Sequence, residues 1–88
     1  MRIAAGPITV RVLLFARYAE LAGTAETMAE LAPPASVADV LRDLRARFPG
    51  ASALPERPLV AVNLLQVPLD HPLAAGDEVA ILPPLSGG

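Results

Sequence analysis

From Ile8 to Phe15 the chain alternates between two sets of side chains, Ile8, Val10, Val12 and Leu14 against Thr9, Arg11, Leu13 and Phe15. Residues two apart share a face of a strand, so the pattern predicts a strand with the first, wholly apolar set turned inward. The second set begins polar and ends in two large apolar residues, so the outer face is expected to become sticky toward its C-terminal end. Arg17 to Ala22 reads as a short helix stopped by Gly23, which takes a left-handed cap without a Cβ penalty. In Thr24 to Ala32 the alternation of Glu26, Met28 and Glu30 favours an edge strand. Pro33-Pro34 closes it, because proline cannot donate to a continuing ladder.

The clearest helical period runs from Ser36 to Phe48, where Val37, Val40, Leu41, Leu44 and Phe48 form one apolar stripe. Ser36 is placed to cap its start, and Asp39 stands where a capping-box acid belongs, near the positive end of the helix dipole. Arg42, Arg45 and Arg47 lie off the stripe toward the negative end, where solvated cations are favoured. Pro49-Gly50 stops the helix, and Ala51 to Pro58 is expected to be a connection with a brief helical turn. Leu59 to Asn63 reads as a strand, with Asn63 suited to the left-handed turn that follows. A short strand near Gln66-Val67, turn chemistry at Asp70-His71-Pro72-Leu73 and a tight turn at Gly76-Asp77 lead to a last strand, Glu78 to Leu82. By alternation Ala80 and Leu82 join Leu13 and Phe15 on the outer face. One long helix across a small mixed sheet is an α+β arrangement. The expected organisation is an extension over residues 1–7, a folded domain over 8–84 and a flexible tail over 85–88.

Composition sharpens this picture. The chain has 88 residues, of which 53% are hydrophobic, more apolar surface than a single small core covers, so the surplus is expected at a partner interface. There is no cysteine, hence no disulfide, thiolate metal site or cysteine nucleophile, and a single His71 cannot build a multi-histidine metal site. A net charge of −2, with arginine as the only basic residue type, argues against a nucleic-acid surface. The apolar run Val12 to Ala16 falls far short of the ~20 residues that cross a bilayer, and no export signal is evident, so a cytoplasmic protein without membrane contact is expected.

No Ser-His-acid set, phosphate loop or paired metal ligand is present. His71, before a proline in a turn, reads as structural or solvent-exposed; Asp70, Asp77 and Glu78 read as turn formers. The end of the chain, Pro83-Pro84-Leu85-Ser86-Gly87-Gly88, has a chemical logic of its own. Two prolines end sheet pairing and project the chain outward. Gly87 and Gly88 lack Cβ atoms, so such a segment can thread a narrow channel and present an unhindered carboxylate at Gly88. An enzyme that activates this carboxylate as an acyl-adenylate would let a sulfur nucleophile displace AMP. Ordering each tail residue costs roughly 1–2 kcal/mol, to be recovered by contacts of Leu13, Phe15, Ala80, Leu82, Pro83, Pro84, Leu85 and Ser86 with a partner. The same outer face is also consistent with a second small core under a loop or the N-terminal extension.

Val62-Asn63, Val67, Asp70-His71-Pro72-Leu73, Gly76-Asp77-Glu78-Val79 and the Pro-Pro-Leu-Ser-Gly-Gly ending, with Val12 to Arg17 and Glu20-Leu21-Ala22-Gly23, resemble the small-subunit family of molybdopterin synthase. Leu82 stands where that family commonly has an aromatic, and the first seven residues are extra. The resemblance implies a ubiquitin-like β-grasp fold and a sulfur carrier without a side-chain active site or bound cofactor. In the implied cycle a ubiquitin-activating-like enzyme consumes ATP to adenylate Gly88, and a persulfide sulfurtransferase leaves a thiocarboxylate there. The tail then enters the large synthase subunit, which supplies the catalytic side chains, and sulfur passes to cyclic pyranopterin monophosphate. Two loaded carriers build the dithiolene, within a heterotetramer. Three other readings stand beside it: a carrier for thiamine thiazole synthesis, a protein modifier, and a β-grasp binding module with no covalent role.

Overall fold

The computed structural model describes residues 6–84. Residues 1–5 and the tail positions Leu85, Ser86, Gly87 and Gly88 lie outside the described residues. Along the chain run β1 (Ile8–Leu14), α1 (Arg17–Ala22), β2 (Glu26–Leu31), β3 (Ala35–Ser36), α2 (Val37–Arg47), a 3-10 turn (Pro49–Ala53), β4 (Leu59–Val62), β5 (Leu65–Val67), β6 (Pro72–Leu73) and β7 (Glu78–Leu82). Five strands form one sheet in the order β2-β1-β7-β4-β5. Only β1 and β7 run parallel; the other pairs in that sheet are antiparallel.

The alternation read from the sequence decides which face is buried. Val10, Val12 and Leu14 of β1, Val60 and Val62 of β4, and Val79 and Ile81 of β7 are all buried on one face. Against them lies the stripe of α2, with Val37, Val40 and Leu44 fully inaccessible to solvent. Phe48, the last residue of that stripe, packs half-buried at the helix C-cap. Burying such aliphatic side chains stabilises by roughly 1.5–3 kcal/mol each, so α2 is held by its packing more than by its own propensity. No side-chain nitrogen or oxygen among the described residues is buried without a partner.

Each helix ends for a local reason. Gly23 caps α1 at φ 80°, and its N–H donates to the Ala19 carbonyl. At the start of α2 the Asp39 Oδ2 accepts from the Ser36 N–H at 2.8 Å and from the Ser36 hydroxyl at 3.3 Å. The first amides of the helix are satisfied by backbone: Val37 N–H donates to the His71 carbonyl at 3.1 Å and Ala38 N–H to the Leu69 carbonyl at 2.9 Å. This corrects the expectation of simple turn chemistry over Asp70 to Leu73. Pro72 and Leu73 form β6, paired with Ser36 and Ala35 of β3 in a separate two-stranded ladder. The cause is the demand of the helix amides for acceptors, which draws the 69–73 segment against the start of α2. The resulting layout, a mixed sheet grasping one main helix with parallel strands at its centre, is the β-grasp.

Candidate functional site

Register assembles the outer face of the sheet row by row. Leu13 pairs with Ala80, and Ala80 with Ala61; Leu82 pairs with Leu59. Phe15 follows Leu14, the partner of Ile81, and so stands beside Leu82 at the same end. These six apolar side chains occupy the half of the face where β7 ends. The chain leaves there through Pro83, half-buried, and Pro84, exposed. Phe15 is 43% and Leu59 38% exposed, whereas Leu13, Ala80 and Leu82 are half-buried and Ala61 is buried.

The other half of the face is mainly polar, with Met28, the register partner of Arg11, as an exposed apolar side chain within it. Arg11 lies between Glu26 and Glu78, with Nε 2.8 Å from the Glu26 carboxylate and Nη1 3.4 Å from that of Glu78. The hydrogen bond that Arg11 donates to Glu26, and the charge of that carboxylate, hold the Arg11 guanidinium above its ordinary range. At the same end Asn63, at φ 51°, locks the β4–β5 turn to the start of β7. Its Nδ2 donates to Asp77 at 3.0 Å and its Oδ1 accepts from the Glu78 N–H at 3.0 Å. Asp77 in turn accepts from the Ala74 N–H at 2.8 Å. Asp77 is thus the turn former expected; the hydrogen bonds that shape the Asp70-His71 segment are made by backbone.

The structure therefore brings Leu13, Phe15, Ala80, Leu82, Pro83 and Pro84 together at one end, while Leu85, Ser86, Gly87 and Gly88 lie outside the described residues. Leu59 and Ala61 belong to the same surface and were missed from sequence. Their signal was available in the alternation of Leu59 and Ala61 against the buried Val60 and Val62. Among the described residues no group of three His, Cys, Asp or Glu side chains converges to hold a metal. No helix among them is long and apolar enough to cross a membrane. Two open depressions flank α2, one reaching Arg57 and Asp70 and the other Glu30 and Arg42, both away from the apolar half of the outer face.

Comparison with known proteins agrees with this geometry. The ThiS family model matches residues 12–88. The chain is 42% identical over 82 residues to the molybdopterin synthase sulfur carrier subunit of Escherichia coli, covering 90% of this chain and 99% of that protein. It is 41% identical over 81 residues to the protein of the same name from Chlamydomonas reinhardtii, covering 90% and 98%. Among solved structures, the small archaeal modifier protein 1 of Haloferax volcanii superposes with a TM-score of 0.81 at 29% identity, over 89% of this chain and 99% of that one. With the β-grasp topology in place and a family match running from within β1 to residue 88, the chain belongs to the ThiS family.

Proposed function

We propose that this chain is the sulfur carrier subunit of molybdopterin synthase and donates sulfur from a thiocarboxylate on Gly88. The observation that carries the reading is the position of the apolar half-face: β7, a strand paired on both sides, delivers the chain beside Phe15, Leu59 and Leu82. A partner that covers this surface meets the chain where it leaves β7 at Pro83 and Pro84. The apolar contact offsets the entropy lost in ordering the tail.

The chemistry asks nothing of a side chain in this protein. The Gly88 carboxylate attacks the α-phosphate of ATP on an adenylating enzyme, releasing pyrophosphate and giving an acyl-adenylate. Persulfide sulfur from a sulfurtransferase attacks the acyl carbon and AMP leaves. Reductive cleavage of the sulfur–sulfur bond by a thiol then frees the thiocarboxylate. In the large synthase subunit that sulfur passes to cyclic pyranopterin monophosphate, two loaded carriers serving one dithiolene within a heterotetramer. The relatives in Escherichia coli and Chlamydomonas reinhardtii, which bear this carrier's name over almost their whole length, support this reading above a thiazole-synthesis carrier. The likeness to a small archaeal modifier protein favours one other reading, a tail amide-linked to other proteins after the same adenylation.

Intact mass spectrometry after incubation with ATP, the adenylating enzyme and a sulfur donor tests the proposal. A mass gain equal to one oxygen exchanged for sulfur, placed at Gly88, is expected. Deleting Gly88, or adding a residue after it, should abolish sulfur transfer with an unchanged melting temperature. Full transfer by either variant would overturn the carrier role, and amide adducts in place of the thiocarboxylate would favour the modifier.

A further inference from the structure

Phe15 and Arg17 flank a strained backbone position. Between them Ala16 has φ 50° and ψ −127°, a combination that L-residues avoid and that glycine takes freely. The turn around it is fixed on both sides. Tyr18 N–H donates to the Phe15 carbonyl at 3.0 Å, and the Ala16 carbonyl accepts from Ala19 at 3.1 Å and Glu20 at 3.3 Å. The Tyr18 side chain is buried in the core, while β1 is paired along both edges. Strain maintained by rigid surroundings is characteristic of positions where a fold holds a side chain for a task. What this turn displays, at the end of the sheet where β7 leaves, is one aromatic ring and one guanidinium, both exposed.

The guanidinium is unusual among its kind. Within the described residues Arg11, Arg42 and Arg47 pair with acids, and Arg45 and Arg47 donate to the backbone carbonyls of Pro55 and Met28. Among the described residues Arg17 makes no such bond, and neither does Arg57. Arg57, however, shares its depression with Glu56 and Asp70, whereas the acid nearest Arg17 along the chain is Glu20, one turn further on in α1. An exposed arginine beside an exposed aromatic, presented on a fixed turn, has the composition and rigidity of an interface anchor.

Resting on the carrier reading, we infer that Arg17 is a recognition residue for the large synthase subunit, pairing with an acidic side chain at the lip of the channel that takes the tail. With the tail extended into a channel, the reacting group stands away from Arg17. From Pro84 to Gly88 is four residues, which extend to about 13–14 Å at most, so a cation at the tail root meets the rim while Gly88 meets the chemistry. The same limit brings the rim of the large subunit against the root whenever Gly88 reacts. Arg17 therefore extends the apolar half-face with a charge that orients docking. It is a positioning residue and touches no reacting atom.

The test is binding of the full chain to the purified large subunit, measured by calorimetry at low and at high salt. Arg17→Gln should weaken binding about five- to tenfold at low salt, and Arg17→Glu about 30-fold or more, both losses shrinking as salt screens the pair. Melting temperatures should stay within a degree or so of wild type, as for exposed substitutions in general. Arg42→Glu, the same charge change on α2 across the core from the apolar half-face, should bind as wild type does. Equal affinity of Arg17→Glu and wild type at low salt would overturn this role alone. So would an equal loss in Arg42→Glu, which would show a net-charge effect. Failure of the wild-type chain to bind the large subunit would overturn the carrier reading and this role together.

Discussion

At the scale of single residues, the glycine whose structural task no local pattern announces is Gly50. A Cβ built there would stand 1.7 Å from the Leu21 carbonyl oxygen and 2.8 Å from its carbon. Those atoms are backbone and cannot turn aside. Only hydrogen at this position lets the 3-10 turn pack under α1, which carries Arg17 and follows Phe15. Gly50→Ala should cost roughly 3 kcal/mol, the upper range of overpacking effects, read as a shift in the denaturation midpoint at unchanged slope. A change below about 0.5 kcal/mol, the level of ordinary surface substitutions, would show that α1 moves away without cost. The sequence suggested Gly50 only as the residue that, with Pro49, stops α2. Its second role is a long-range contact that no local pattern records. Leu64, 88% exposed at φ 74°, is a residue for which no contact in the structure gives a reason.

At the scale of elements, legibility followed period. β1, β7 and the α2 stripe were readable because burial on one face imposes a spacing of two or of 3.6 on the chain. The β3–β6 pair was not, since two residues a side carry no period. Nor was the task of Arg47, which the sequence placed as a solvated cation near the helix end. Its guanidinium crosses to the free edge of β2, donating to the Met28 carbonyl at 2.9 Å, while Thr24 accepts from the Glu26 N–H at 3.3 Å and donates to the Glu26 carbonyl at 2.8 Å. Edge groups so occupied are withheld from a strand of another molecule. The cap of α2 was readable, because a serine three residues before an acid is a local signal. Its Asp39 carboxyl is lowered below the usual range, first by the Ser36 N–H bond and, opposed by desolvation, also by Arg42. A lowered folded-state value means that the stabilisation is present above the unfolded value and lost as pH falls through the folded one. Asp39→Asn should therefore cost about 1 kcal/mol at pH 7, with the gap to wild type closing below about pH 4. Urea unfolding at a series of pH values checks this; a gap that persists undiminished at pH 2 would mean that the charge of Asp39 has no part in the cap.

At the scale of the whole molecule, the sheet has two sides with different duties and its outer side has two halves. The core side closes over α2. The outer side is ion-paired around Arg11 at the pole where β7 begins and apolar at the pole where it ends. A stable monomer gains nothing from leaving Phe15 at 43% and Leu59 at 38% exposure beside Leu82. A chain that must dock at the root of its own tail gains both area and direction. The division makes Phe15→Glu an informative change. The side chain lies beyond the last buried residue of β1, so a carboxylate there stays hydrated and the fold should lose less than about 1 kcal/mol. In a complex the same carboxylate would be desolvated against an apolar surface without a partner, which costs far more than the lost contact. Affinity for the large subunit should then fall by about a hundredfold or more, in the range of interface hot spots, while the circular dichroism spectrum and melting temperature stay near those of wild type. Measuring adenylation of Gly88 beside this affinity separates a defect at the synthase from one at activation. A large drop in melting temperature would place Phe15 in a second core instead, and the apolar half-face would then belong to folding and not to recognition.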